Sequence, residues 1–453
     1  MNKTIRRKIM KRKLAQKVLL GITAASLLMS GCGNKQTGSE PAPTPVSEVE
    51  ENETETSVHE EEKPNSVVEE EPTLINVNVV TPSDSRVEQY ADMSLELLKR
   101  ESSASENVMI SPASIMFALD MCAEGASGDT YEQMANIIAP GVERDDLKQD
   151  AAYFVSLFED DTMHIANSVW ANESIVGKDG LNANYMSTLK NYYSAEAFSE
   201  EFTGETVNKV NEWIDDNTNH MIPQVIDDTA ISSSMILVNC LAFDGSWEEA
   251  YEEGRVNENG TFNGINGEEE STMMSSTEGI YLENSSATGF IKPYEGDKFS
   301  FMAILPKDED VNIADFVGNF TGADYMELYN SAQYTDVHTM MPKISFEYEN
   351  DLNKTLIDLG MTDAFDSELA QFDDMVADPD AHQFYVGRVI HKTKIDINED
   401  GTQAAAATVV MMKEMAAAPA PVLYVNLDRP YAFAIIDNET GAPVFMGTVN
   451  TTK

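Results

Sequence analysis

Glu399-Asp400-Gly401-Thr402-Gln403-Ala404-Ala405-Ala406-Ala407-Thr408-Val409-Val410-Met411-Met412-Lys413-Glu414-Met415-Ala416-Ala417-Ala418-Pro419 carries two instructions at once. Its alanine run suits a helix interior or a low-complexity loop. Thr408-Val409-Val410 is β-branched and suits a strand better. A charged turn with a glycine opens the segment and a proline closes it. Such a stretch fits an exposed loop in one state and a strand in another. The surrounding chain decides whether that ambiguity is accident or mechanism.

The chain has 453 residues, enough for two or three average domains or for one large domain with extensions. At 42% hydrophobic residues it can bury a sizeable core. A formal net charge of −48 argues against nucleic-acid binding, which needs a basic footprint, and against charge-driven docking on an anionic lipid surface. Three cysteines without repeated spacing exclude a disulfide scaffold or a zinc ribbon. The six histidines form no ligand pair at helical spacing, so neither a metal nor a cofactor is expected.

The N-terminus reads as a targeting segment. Lys3, Arg6, Arg7, Lys8, Lys11, Arg12, Lys13 and Lys17 make a basic head, and an apolar run from Val18 to Met29 follows. That run is too short to span a bilayer permanently, so residues 1–31 read as a signal peptide. Ser30-Gly31-Cys32 resembles a bacterial lipobox, with Met29 departing from the usual Leu and Leu28 one place further back. The resemblance implies cleavage before Cys32 and lipid attachment to it, at the bacterial cell envelope. The alternative is plain secretion. Cleavage removes eight positive charges and no negative one, taking the formal charge from −48 to −56. Residues 32–85 are rich in Glu, Pro, Ser and Thr, with Pro41, Pro43, Pro45, Pro64 and Pro72 breaking any helix. This is an acidic tether, roughly 40 Å long as a coil and roughly 150 Å fully extended. Residues 73–80 form an apolar patch that is either a short strand or more tether.

From residue 86 the chain reads as one globular domain. Val87, Tyr90, Met93 and Leu97 recur at helical spacing. Asn107-Val108-Met109-Ile110-Ser111-Pro112 reads as a short buried strand entering a helix, with Ser111 as N-cap and Pro112 as first helical residue. Helical periodicity dominates to about Lys190. Strands then predominate, at residues 235–243, 299–305, 384–397, 431–437 and 443–449. The class is α+β.

A series of motifs along this body resembles the serpin family. Asn107 to Pro112 and Gly125-Ala126-Ser127-Gly128-Asp129-Thr130 look like its N-terminal signature. Ala166-Asn167-Ser168-Val169-Trp170 resembles the second strand of the main sheet. Val210-Asn211-Glu212-Trp213 through Ile222-Pro223 resembles the helix crossing that sheet. Asn239-Cys240-Leu241-Ala242-Phe243-Asp244-Gly245-Ser246-Trp247 matches the family's Asn-x-x-x-Phe-x-Gly-x-Trp pattern. Lys292-Pro293-Tyr294, Met341-Pro342-Lys343, His391-Lys392, Arg429-Pro430-Tyr431 and Val444-Phe445-Met446-Gly447 follow in order. The resemblance covers about Val87 to Val449. It implies the serpin fold, with about nine helices, three β-sheets and an exposed reactive-centre loop, in a protein that is no enzyme and a monomer.

Other chemistries are weaker. Ser187-Thr188-Leu189-Lys190 spells the S-x-x-K of penicillin-interacting enzymes, but no Lys-Thr/Ser-Gly motif follows. Ser111 or Ser114 with His391 could pair a nucleophile with a base. The serpin resemblance instead places Asn107, Ser111, Ser114, Asn239 and His391 under the centre of the main sheet, as a hydrogen-bonded latch controlling whether two strands part. Cys122 and Cys240 read as inert core thiols. Trp247 reads as core, and in the family its position caps the sheet top where the loop first enters. The helix expected at residues 145–158 holds Lys148 as its only basic residue, so a heparin-type activation site is not supported.

What the resemblance implies for the opening stretch is inhibition by being cut. A protease attacks the loop, forms an acyl-enzyme, and is dragged as the loop inserts into the main sheet. The residues fit that demand. Glu399, Gly401 and Thr402 form a hinge, with Gly401 tolerating unusual dihedrals. Ala404, Ala405, Ala406, Ala407 and Thr408 enter with little side-chain entropy to lose. Alternation puts Thr402, Ala404, Ala406, Thr408, Val410 and Met412 on one uncharged face. In the family the residue before the cut usually lies sixteen after the glutamate, which implies Met415-Ala416 as the reactive bond; trypsin-like attack after Lys413, with acidic Glu414 following, stays open, and so do Ala416 to Ala418, because the loop is about four residues longer than in familiar relatives. An uncharged bait suits elastase-like, chymotrypsin-like or subtilisin-like serine proteases, and a papain-like cysteine protease is a further partner. The alternative is a non-inhibitory surface-binding lipoprotein on the same scaffold.

Overall fold

The computed structural model describes residues 77, 79–158, 162–177, 180–377, 384–402 and 422–453, all within a compact unit from Leu74 to Lys453. Residues 79–83 have no regular structure, so the apolar patch before them does not continue as a strand there. Helix α1 (Asp84–Glu101) buries Val87, Tyr90, Met93 and Leu97, the stripe its sequence periodicity marks. It begins two residues ahead of the boundary expected at 86, because Ser83 is the N-cap and its side chain accepts from Arg86 N–H. Strand β1 (Val108–Ile110) follows, then α2 (Pro112–Gly125), α3 (Gly128–Ile138) and α4 (Arg144–Leu157). Helix α2 is apolar all round and buried on nearly every face, which makes it the central helix of the core. Each of Ile115, Phe117, Leu119 and Met121, at 2% exposure or less, contributes about 1.5–3 kcal/mol of burial.

Helix α4 starts one residue earlier than expected and so includes Arg144 beside Lys148. Both cations are occupied. Arg144 donates to the carbonyls of Glu124 and Ala126 and stacks over Tyr131, and Lys148 pairs with Glu124 and Asp145. The helix therefore presents no free basic face.

The chain continues through β2 (Met163–Asn172), α5 (Glu173–Val176), α6 (Ala183–Tyr193), β3 (Glu196–Glu200) and α7 (Gly204–Asn217). Strands β4 (Met235–Phe243), β5 (Gly245–Ser246), β6 (Val256–Gly264), β7 (Gly267–Glu278), β8 (Tyr281–Glu283), β9 (Ala287–Pro293) and β10 (Phe299–Pro306) come next. Helices α8 (Ile313–Asn319) and α9 (Gly322–Asn330) precede β11 (Val337–Pro342) and β12 (Ile344–Asp351). Helix α10 (Asn353–Asp358) leads to β13 (Arg388–Ile397), β14 (Gly401–Thr402), β15 (Leu423–Asn426), β16 (Tyr431–Asp437) and β17 (Pro443–Val449). The described residues thus hold ten α-helices and three sheets, an α+β fold.

A six-stranded sheet runs β1-β17-β16-β10-β9-β8, and a four-stranded one β15-β11-β7-β6. The main sheet runs β3-β2-β4-β13-β14-β5, with β12 on the outer side of β13. Its central strand β4 is buried along its whole length, and the reason is two-sided cover. Leu237, Leu241 and Phe243 face the core around α2, while Ile236, Val238, Cys240 and Ala242 pack under Val207, Val210 and Ile214 of α7. Strand β13, by contrast, alternates strictly, with Val389, His391, Thr393, Ile395 and Ile397 buried. Among the described residues no helix is long and apolar enough to cross a membrane.

Candidate functional site

Two strands of the main sheet run side by side and barely pair. Strands β4 and β13 are parallel and share ladder positions at Arg388–Ile236 and Val389–Leu237, at one end of the seam. At the other end β14 lies between them, pairing Thr402 with Ile397 of β13 and with Gly245 of β5. Between these ends, residues 390–396 face residues 238–244 with no ladder pair among the described residues. Strand β13 is instead paired fully on its outer edge, from Ile344–Ile397 to Asp351–Ile390 of β12. The seam is thus a slot in the sense of pairing alone, seven positions without a ladder pair, closed at one end by two pairs and capped at the other by two residues.

The plug is built by the hinge residues. Asn398 makes the turn, its Oδ1 accepting from Asp400 N–H (2.9 Å) and Gly401 N–H (3.2 Å). Gly401 lies in the extended strand β14, so in this state the turn comes from Asn398 and the glycine supplies no left-handed conformation. Trp247 holds the turn twice: its backbone N–H donates to Asp400 O (2.9 Å) and its indole N–H to Asn398 O (3.0 Å). Tyr251 N–H donates to Glu399 O (2.9 Å). Thr402 is buried at 2% exposure, its hydroxyl 2.6 Å from that of Tyr294, on which Trp247 stacks at 4.4 Å. Buried Lys292 lies against Trp247 and Tyr251, 5.3 Å and 4.4 Å from their ring centroids, and donates to Glu278 Oε1 and Glu249 O. Glu399 pairs with Lys343; burial alone would raise its carboxyl, but that partner holds it below the usual value.

Below the slot lies a buried polar cluster, organised by the first turn of α2. Ser111 caps that turn by accepting from Ser114 N–H (3.2 Å) and donates its hydroxyl to Val444 O (3.0 Å). Its backbone N–H donates to His391 Nε2 on β13 (3.1 Å). Ser114 donates to Asn239 Oδ1 on β4, and Asn239 Nδ2 donates to Asn167 Oδ1 on β2. Asn167 in turn donates to Tyr193 O (2.8 Å). One helix turn therefore holds both walls of the slot, one through each serine. Accepting at Nε2 requires a neutral imidazole, and burial lowers the His391 pKa to about 4. No general base next to a serine hydroxyl results, since His391 takes a backbone N–H instead.

Asn107 is not in this cluster. It accepts from Asn450 N–H (2.7 Å) and Thr451 N–H (3.1 Å) and donates to Thr451 O (2.9 Å), fastening the last strand's exit. It precedes β1, which pairs with β17 in the six-stranded sheet, Val108 opposite Thr448, and so lies beside the exit of that last strand. Conversely, Asn167, Tyr294, Asn398 and Lys343 belong to the site and were not singled out from the sequence. Asn167, Tyr294 and Lys343 stood in the quoted motifs only as family markers, and Asn398 stood in none.

Met415 and Ala416, and Ala404, Ala405, Ala406, Ala407 and Thr408, lie outside the described residues, as does Cys32. Lys190 is exposed, and the Ser187 hydroxyl accepts instead from Asn191 Nδ2 at 3.2 Å. Cys122 and Cys240 are buried free thiols, both pushed up by burial, Cys240 to about 12. Asp215, Asp216 and His220 converge at the exposed end of α7, where the 2.7 Å contact of His220 Nδ1 with Asp215 accounts for their approach.

This arrangement has relatives. A protein-family model described as serpin (serine protease inhibitor) matches residues 88–452. A serpin-like protein of Methanosarcina acetivorans is 31% identical over 402 residues, covering 84% of this chain and 92% of its own. Serpin B10 of Rattus norvegicus is 26% identical, covering 77% and 94%. Among solved structures, the thermophilic serpin tengpin in its native state superposes with a TM-score of 0.75 at 34% identity, covering 83% of this chain and 96% of that one. The same protein in its latent state gives 0.71 at 32% identity, covering 83% and 100%.

Proposed function

The chain belongs to the serpin family, and from that premise we propose that it inhibits serine proteases as a suicide substrate whose cleaved loop becomes a strand of the main sheet. The observation that carries this reading is the open slot with the hinge already seated at its mouth. Both ladders of β14 can be continued down the slot. On one side Ala404 would meet Ile395, Ala406 would meet Thr393 and Thr408 would meet His391. On the other side the same residues would meet Phe243, Leu241 and Asn239. The two continuations agree with each other. Carried to Val410, they reach Val389 and Leu237, which already pair with one another. A strand entering there satisfies the free edges of both walls and needs no shift in register.

The faces agree as well. The inward partners on β13 are its buried residues, and the loop residues opposite them are Ala, Thr and Val. Thr408 would arrive between Asn239 and His391, where its hydroxyl has polar partners to meet. The bond proposed for attack is Met415-Ala416, with Lys413 and Ala416 to Ala418 as neighbours, and the proteases are elastase-like, chymotrypsin-like or subtilisin-like, with papain-like enzymes as a further class. We place the protein at a bacterial envelope, lipid-anchored through Cys32 and held out by the acidic tether.

The test is incubation with elastase-like and subtilisin-like proteases followed by a denaturing gel. A covalent complex joining protease to the cleaved chain is the expected outcome. Clean cleavage at every ratio, with no complex, would instead favour a non-inhibitory binding protein on this scaffold.

A further inference from the structure

The two pairs that close the slot are not alone. Arg388, the first residue of β13, reaches to both sides of the seam. Its Nε donates to Asp351 Oδ2 of β12 at 2.9 Å. Its Nη1 donates to Thr229 Oγ1 at 2.9 Å and lies 3.8 Å from Asp227 Oδ1. Thr229 sits in the turn Asp228–Ser232 that feeds β4, and Asp227 caps that turn by accepting from Thr229 N–H at 2.9 Å. Thus one guanidinium fork ties the outer neighbour of β13 to the segment entering β4. A planar fork with fixed donors suits that bridging role better than a point charge. Ser234 adds a second tie at the same level, accepting from Tyr385 N–H at 3.2 Å.

The register gives this clasp a place in the insertion sequence. On insertion in the register of β14, residues Gln403 to Val409 would come opposite residues 396–390 and 244–238, between which no ladder pair is formed among the described residues. Val410 would then come where Val389 pairs with Leu237, and Met411 where Arg388 pairs with Ile236. We propose that strand insertion in this protein has two stages, divided after Val409, and that Arg388 is the positioning residue that sets the second. The first stage fills a slot of seven residues, about 23 Å at 3.3 Å per residue. The second stage parts β4 from β13 and pulls Arg388 away from Thr229 and Asp227. Release of Arg388 decides how fast an attached protease travels the last turn of the way. The proposal rests on the insertion reading above.

Synthetic peptides copying the loop separate the two stages in the intact protein. One copies Gln403 to Val409 and the other Gln403 to Met412, and each is labelled so that incorporation is read by fluorescence and by thermal stabilisation. Arg388→Met is expected to speed incorporation of the longer peptide about tenfold and to leave the shorter within about twofold. Asp351→Asn, which removes one partner and keeps Arg388, is expected to act in the same direction and serves if Arg388→Met does not fold. Equal rates of the longer peptide in wild type and both variants would overturn the clasp. So would equal acceleration of both peptides, because that marks general loosening. If neither peptide enters wild type, the insertion reading itself fails and the clasp falls with it.

Discussion

His391 shows how one side chain can serve the slot only while neutral. Its Nε2 accepts a backbone proton from Ser111, and burial lowers its pKa to about 4 against an ordinary value near 6.5. The unfolded chain therefore binds more protons between those values. Stability is full above about pH 6.5 and falls as pH drops toward 4, by on the order of 2 kcal/mol at pH 5. Urea midpoints at pH 7.5 and pH 5 measure this, and in His391→Gln the part of the drop belonging to this group is expected to vanish. An equal pH dependence in wild type and variant would remove His391 as its source. Thr402 makes the matching case at the mouth. It is already buried against Tyr294, so Thr402→Arg would force a charge into that site or expel the hinge from it. The protein is then expected to turn from inhibitor to substrate, with the number of molecules consumed per protease rising at least about tenfold. An unchanged ratio would contradict the buried face assigned to this strand.

At the scale of elements the decisive feature is the register of β14, and it can be tested by cross-linking. Residues directly opposite in a ladder bring their Cβ atoms to about 4.5–5.5 Å, close to disulfide range. The pair Ala406→Cys with Leu241→Cys is expected to form a disulfide after loop cleavage and not before. The pair Ala406→Cys with Ala242→Cys, one step out, faces opposite sides of the sheet and is expected to stay reduced. A cross-link in the second pair alone would mean a slipped strand. Much of this level was legible in the sequence. The bounds of β16 and β17, the capping of α2 by Ser111 and Pro112, and the alternation through Thr402 followed from local chemistry that tertiary contacts reinforce. What was not legible depends on long-range placement. Asn107 resembles its neighbours Ser111 and Ser114 in polarity, yet the short β1 carries it to the C-terminal tail instead. Asn167 joins the cluster only because β2 and β4 pair Asn167 directly with Asn239. The role of Asn398 as turn-maker was hidden by the glycine three residues on, and Arg388 gains its meaning only from partners 37 and 159 residues away.

At the scale of the whole molecule the proposal is of an envelope anchor at Cys32, an acidic spacer and a body that gains stability when its loop inserts. Cys32→Ala is expected to release the protein from membrane fractions into the medium while leaving protease inhibition unchanged; retention in the membrane would place the anchor elsewhere. The central claim is that the folded chain is held short of a more stable state by an unfilled slot. Filling it adds a strand of about ten residues with ladder bonds on both edges, each worth about 0.5–1.5 kcal/mol net. The most direct measurement is thermal unfolding of the intact chain beside the same chain cut once within residues 413–418. The account predicts that cutting raises the unfolding temperature by about 20 °C or more. A cut chain that melts at or below the temperature of the intact one would contradict it.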